Sequence, residues 1–309
     1  MAVDSRIKQL SYSSLLTLHS CPRKFQLDRL QAEQHDDDTN KSSVTFAFGH
    51  VVGMGIQSVF ENKSEDQIVW DMFLMWDCDL LDENPKQAKS FWLGIQAVQK
   101  FLTMRETGFL SEWDLAYHEG QPCCELSFLI HLPNGFKYRG FVDAVLQNKL
   151  TGEIMVLEVK TTGMSTVNSA TYKNSAQAIG YSVVLDHLFP ELSSYEVLYL
   201  VYKTKQKEFD PLPFTKSYLQ RALWIRELLL DIDMISLYED AEIYPMRGES
   251  CFNFFRECEY IYTCTLSTDK LTDKLTPEQE AKLIEKQADY KIHITINDLI
   301  TSQLRKEDT

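Results

Sequence analysis

No run of 18 consecutive apolar residues occurs in the 309-residue chain, so no segment is expected to cross a membrane as a helix. The opening residues, MAVDSRIKQL, lack the apolar core of an export signal, and an intracellular, cytoplasmic protein is the expectation. Basic residues are also short: 31 Lys and Arg against 45 Asp and Glu leave a formal charge of −14, which counts against broad binding to phosphate backbones. There is no internal repeat and no P-loop, so neither a repeat array nor a nucleotide-driven motor is expected. The cysteines include no C-x2-C knuckle, the usual mark of a zinc ribbon.

What is present is an ordinary globular composition, 44% hydrophobic and 25% charged, with enough chain to bury a large core. The negative charge is uneven. Residues 1–30 hold five basic and two acidic side chains, whereas residues 31–119 hold six basic and sixteen acidic ones. A basic groove can therefore coexist with the acidic total. Seven cysteines without an export signal are expected to be ligands or buried thiols, not disulfides.

Ser11 or Ser13 caps a first helix whose apolar stripe is Leu15, Leu16 and Leu18, and Pro22 interrupts it. Residues 31–43 read as a polar loop, with Asp36-Asp37-Asp38 a solvated turn. Helices follow over 46–61, 64–79 and 84–108, then strands over 125–132 and 136–146 joined by Pro133-Asn134-Gly135. A strand over 154–160 leads into a small polar loop, 161–171, and a helix over 175–188 stopped by Phe189-Pro190. An apolar strand, 195–202, ends at Lys203, Lys205 and Lys207; these cations form either a phosphate-contacting rim or a solvated hairpin tip. The helix over 216–238 is read with its Leu, Trp and Ile positions as core, and a last helix spans 277–288.

The chemistry concentrates between Tyr138 and Gly163. A strand bearing Asp143 and a strand bearing Glu158-Val159-Lys160 are joined by a turn at Thr151-Gly152, so they pair as a hairpin. Side chains two apart share a face of a strand, so Glu158 and Lys160 point one way and Leu157 and Val159 the other, with Asp143 within reach of the first pair. Buried charges need partners or a metal, and Mg²⁺ favours one or two carboxylates, retained water and substrate phosphate. The alternative is a structural ion pair between Glu158 and Lys160 at a solvated strand edge.

Asp143, followed after 14 residues by Glu158-Val159-Lys160, resembles the signature of the PD-(D/E)XK nuclease superfamily, and Gln177-Ala-Ile-Gly-Tyr181 resembles the Q-x-x-x-Y motif of its RecB-type branch. The resemblance implies an α/β fold: a restriction-endonuclease-like mixed sheet flanked by helices, with a helical insertion over 44–110 and a C-terminal Fe–S region. It implies a single nuclease domain over 1–264 and a polar extension over 265–309. It further implies a metal-dependent DNA exonuclease in which Asp143, Glu158 and Lys160 are catalytic and Gln177 and Tyr181 orient DNA or the lysine. Mg²⁺ or Mn²⁺ would be held by Asp143, Glu158 and the Val159 backbone carbonyl. The family often places a His four residues after a helix Gly; here Gly53 occupies that position relative to Gly49, and His50 is either a substitute ligand or a structural histidine. DNA is the implied partner, with a homo-oligomer or a recombination or repair protein as further partners and a phage or mobile element as source. The other readings are a DNA-binding or assembly subunit with a weak or silent site, and a sequence-specific restriction-type endonuclease, for which no recognition domain is evident.

Cys251, Cys258 and Cys264 cluster among aromatics, and Cys21 lies in the string Cys-Pro-Arg-Lys-Phe. The set is similar to the [4Fe–4S] arrangement of AddB-like nucleases, which implies four thiolate ligands and a structural clasp. Cys₄ zinc and unligated buried thiols remain open, and Cys78, Cys123 and Cys124 have no matching context.

Overall fold

The computed structural model describes residues 4–31, 44–76, 89–192, 194–253, 256–268 and 274–304. Asp36-Asp37-Asp38, Cys78, Phe254, Phe255 and the first residues expected in the helix over 84–108 lie outside them. The chain begins with β1 (Gln9–Leu10), α1 (Tyr12–Ser20), α2 (Pro22–Gln31), α3 (Val44–Phe60), α4 (Glu65–Met75) and α5 (Phe91–Glu106). It continues with β2 (Trp113–Leu115), β3 (Tyr117–His118), β4 (Gln121–Pro122), β5 (Cys124–His131), β6 (Lys137–Asn148) and β7 (Ile154–Thr162). Next are α6 (Ser169–Lys173), α7 (Ala176–Leu188), β8 (Tyr195–Lys203), β9 (Glu208–Lys216) and α8 (Tyr218–Asp240). The last are β10 (Phe252–Asn253), β11 (Arg256–Glu257), α9 (Pro277–Ala288), β12 (Ile292–Thr295) and α10 (Ile296–Leu304).

Local chemistry sets several of these boundaries. Ser11 and Ser14 form a reciprocal capping box that starts α1, satisfying N–H groups that have no partner inside the helix. Pro22 begins α2, at the position where its missing N–H costs least. Thr276 and Gln279 repeat the capping box before Pro277 at the start of α9.

The larger strands form one mixed sheet in the order β12-β5-β6-β7-β8-β9, flanked by helices, so the α/β class holds. The chain divides into two compact units. One comprises residues 41–126 and 141–221, the other residues 1–40, 127–140 and 222–309.

In the first of these units, β6 and β7 pair antiparallel across a turn in which the Asn148 carboxamide oxygen accepts the N–H groups of Leu150 and Thr151. Gly152 sits at φ +75°, the left-handed region that glycine enters without strain. The chain then crosses through α6 and α7 to lay β8 parallel to β7, and β9 returns antiparallel to β8. Phe48, Val51 and Val52 of α3 and Phe101 of α5 pack into one buried cluster with Leu157 and Leu200 of the sheet. Gly55 permits the close approach of α3 to its neighbours, because a Cβ there would lie 2.4 Å from Val98 and 2.9 Å from Met72. β9 is not anticipated by the sequence pattern, since Pro211 and Pro213 read as strand breakers; they are tolerated because β9 is an edge strand. The loop expected over 161–171 is also shortened, by the extension of β7 to Thr162 and by α6.

In the other unit, β12 pairs parallel with β5, and β1 pairs parallel with the start of β6. α8 departs from its expected reading. Trp224, Ile225, Leu228, Ile232 and Ile235 are core, whereas Leu223, Leu230, Met234 and Leu237 of the same helix are exposed.

Candidate active site

The β6–β7 ladder runs from Gln147 opposite Ile154 to Ala144 opposite Leu157. One step further, Asp143 is level with Glu158, and directly opposed residues of an antiparallel pair project from the same face. Here the Val159 N–H donates to Asp143 Oδ2 at 3.0 Å, so a carboxylate takes the place of a ladder carbonyl. Leu157 joins the helix-covered core and Val159 packs against it, which turns Glu158 and Lys160 to the opposite face.

Glu158 is 1% exposed. Its Oε1 receives the Lys160 ammonium, while Oε2 is buried without a hydrogen-bond partner. Burial raises the Glu158 carboxyl to about 8; the charge of Asp143 adds to the rise and Lys160 opposes it. Asp143 is also raised by burial, against the pull of Lys160, the Val159 N–H and His50. Two carboxyl groups that resist ionisation beside one lysine form a site short of positive charge. The orphaned Glu158 oxygen next to Asp143 therefore fits a hard divalent cation.

α7 supplies the next layer. Gln177 and Tyr181 lie one turn apart on one helix face. Lys160 Nζ donates to Gln177 Oε1 at 3.2 Å, and Gln177 Nε2 donates to the Tyr181 hydroxyl at 2.6 Å. Asp143, Glu158, Lys160, Gln177 and Tyr181 are thus brought into one linked group. His50 is not brought into it by contact. It lies on the exposed surface of α3 with its ring 4.2 Å from that of Phe46, although its charge is felt at Asp143. The adjacent Gly49 faces the end of β7, where an added Cβ would stand in ordinary contact, 3.6 Å from Thr161 Oγ1.

Two residues at this site carry no sequence signal. Tyr172 of α6 lies close enough to Lys160 for the cation to offset part of the burial that raises its phenol, and its ring is 4.7 Å from that of Tyr199. Lys216 is fully buried; its ammonium donates to the backbone carbonyls of Tyr172, at 3.5 Å, and Lys173, and burial pushes it down to about 8. A cation on the last carbonyls of α6 satisfies groups that the helix leaves open. It fixes the backbone that carries Tyr172.

The other unit holds the four cysteines singled out above. Cys21, Cys251, Cys258 and Cys264 line one cavity of about 160 Å³, with Tyr260 and Ile261 in its wall. Cys21 is buried at the end of α1, and the β10–β11 hairpin spans Cys251 to Cys258, whose N–H donates to the Cys251 carbonyl at 2.8 Å. The Cys264 thiol is raised by burial, with Arg23 opposing and the other three cysteines adding to the rise. Among the described aromatics of this segment, Tyr260 is buried, whereas Phe252 and Tyr262 face solvent. Among the described residues, no group of three or more His, Cys, Asp or Glu side chains is arranged to hold a metal ion. No helix among them is long and apolar enough to cross a membrane.

The family model of the PD-(D/E)XK nuclease superfamily matches residues 9–265. No curated protein matches the chain. Among solved structures, a candidate exonuclease from Eubacterium rectale is similar at 13% identity over 79% of this chain and 86% of its own, with a TM-score of 0.47. SSO0001 is similar at 14% identity over 82% of this chain and 97% of its own, with a TM-score of 0.28.

Proposed function

From the premise that this chain belongs to the PD-(D/E)XK nuclease superfamily, we propose that it is a metal-dependent deoxyribonuclease acting from DNA ends, of the RecB-type branch. The observation that carries this reading is the buried, unpartnered Glu158 oxygen beside Asp143 and Lys160. Asp143, Glu158 and the Val159 carbonyl would hold Mg²⁺ or Mn²⁺, with water or His50 completing the set. When bound, the ion supplies Lewis-acid polarisation of the phosphate and a lowered pKa for water. Lys160, tethered between Glu158 and Gln177, orients the attacking water or takes its proton, and its charge offsets the negative charge that develops on the phosphate. Tyr181 holds the far end of Gln177, so the lysine is kept in place before DNA arrives. A phage or mobile-element recombination role suits this chemistry.

The test is digestion of end-labelled linear DNA and covalently closed circles in Mn²⁺, on both single and double strands. Mononucleotide release from linear DNA with circles intact is the expected result. Nicked circles would make the protein an endonuclease, and no cleavage of either would leave the silent assembly subunit as the better reading.

The four-thiol cavity is read as a [4Fe–4S] site, with Cys21, Cys251, Cys258 and Cys264 as ligands that clasp α1 to the C-terminal segment of the same unit. Anaerobic purification is expected to give a brown protein with about four irons per chain, one for each thiolate. A colourless, iron-free protein that is fully folded would reject the cluster.

A further inference from the structure

α8 is apolar on both sides, which is the pattern of a helix enclosed by protein on all faces. Its inner side meets that condition: Trp224, Leu228, Ile232 and Ile235 are at most 5% exposed. Its outer side does not. Leu223, Leu230 and Leu237 recur every seven residues at 46%, 62% and 63% exposure, and Met234 between them is 44% exposed. At about 100° per residue these four side chains fall within roughly 60° of arc, a continuous ridge along the helix. Arg226 and Asp233, both exposed, flank the same side of that ridge, and Glu227 lies on the other.

We infer that this ridge is a homodimer interface in which α8 packs antiparallel against α8 of a second copy. A two-fold axis through Leu230 sets Leu230 against its own counterpart and Leu223 against Leu237 at each end. In an antiparallel pair, like flanks meet. Arg226 of each copy therefore faces Asp233 of the other, giving two crossed ion pairs. Glu227, on the opposite flank, meets no exposed acidic residue of the second helix, since Asp231 on that flank is buried and bound to His19. A parallel pairing would set Arg226 against the Glu227 flank but leave Asp233 facing that same acidic flank; only the antiparallel arrangement gives both Arg226 and Asp233 an opposite charge. The seven-residue spacing suits the shallow crossing of two such helices. The surface is apolar at its centre and charged at its rim, and it is complementary to itself.

Analytical ultracentrifugation of the full chain over roughly 1–200 µM is expected to show reversible monomer–dimer exchange, because one helix pair buries less area than a standard stable interface. Leu230→Asp places two carboxylates on the axis and is expected to weaken association by about a hundredfold or more. Arg226→Asp sets like charges against each other and is expected to weaken it by about tenfold. Combining Arg226→Asp with Asp233→Arg restores the crossed pairs and should return association close to that of the unaltered chain. All of these side chains are exposed, so circular dichroism is expected to be unchanged. A monomer at the highest concentration would overturn the proposal, as would a dimer indifferent to Leu230→Asp. A double reversal no tighter than Arg226→Asp alone would overturn the antiparallel register.

Discussion

Lys160→Ala is expected to reduce metal-dependent DNA cleavage by about a hundredfold or more, the loss typical of removing one preorganised electrostatic contact from a transition state. The ammonium contacts Glu158 and Gln177, and both belong to the proposed site. Its side chain is 35% exposed, so alanine leaves no sealed cavity in the core. The buried Glu158 carboxyl already favours its proton, and loss of the lysine strengthens that preference without leaving a lone buried charge. Folding should therefore survive, as checked by circular dichroism and thermal unfolding. Gln177→Leu makes a graded comparison: it frees the lysine without removing its charge, and a smaller loss of rate is expected. Near-normal cleavage by folded Lys160→Ala would refute the assignment of this group as the catalytic centre.

Asp186→Ala is expected to destabilise the protein by about 3–5 kcal/mol, the range for removing one partner of a buried ion pair. Asp186 and Arg221 are both fully buried, with Arg221 Nε 2.5 Å from Asp186 Oδ2. Arg221 also donates to the Lys216 carbonyl at 2.6 Å and lies 5.3 Å from the centre of the Tyr195 ring. Alanine would leave a guanidinium sealed from water without the carboxylate that faces it. Against a typical total of about 5–15 kcal/mol, that loss is large enough to show as extensive unfolding near body temperature. Asp186→Leu combined with Arg221→Met removes both charges and is expected to recover much of the stability, as denaturant titration would measure. A change under about 1 kcal/mol for Asp186→Ala would mean that water reaches the pair.

The site was legible where the sequence carries spacing and less so where it carries only packing. Asp143, Glu158 and Lys160 can be placed from strand alternation and one turn, because a hairpin fixes its own register. Gln177 and Tyr181 follow from helical spacing. Tyr172 and Lys216 could not be foreseen, since they reach the site through α6 and the end of β9, and no local pattern joins those segments. β9 itself was hidden by two prolines that argue against a strand everywhere except at an edge. β12 is four residues long and finds its partner, β5, over 160 positions away in sequence, a pairing no periodicity encodes. On α8 the periodicity was visible, but it registers apolar residues without saying which of two apolar sides meets the core.

Pro211 and Pro213 have a consequence beyond the placement of β9. They stand opposite Leu200 and Leu198 of β8, two residues apart, so the rim of the sheet lacks two successive amide donors on its free side. An incoming extended chain finds too few hydrogen bonds there to continue the pleat, which guards the folded protein against runaway stacking of sheets.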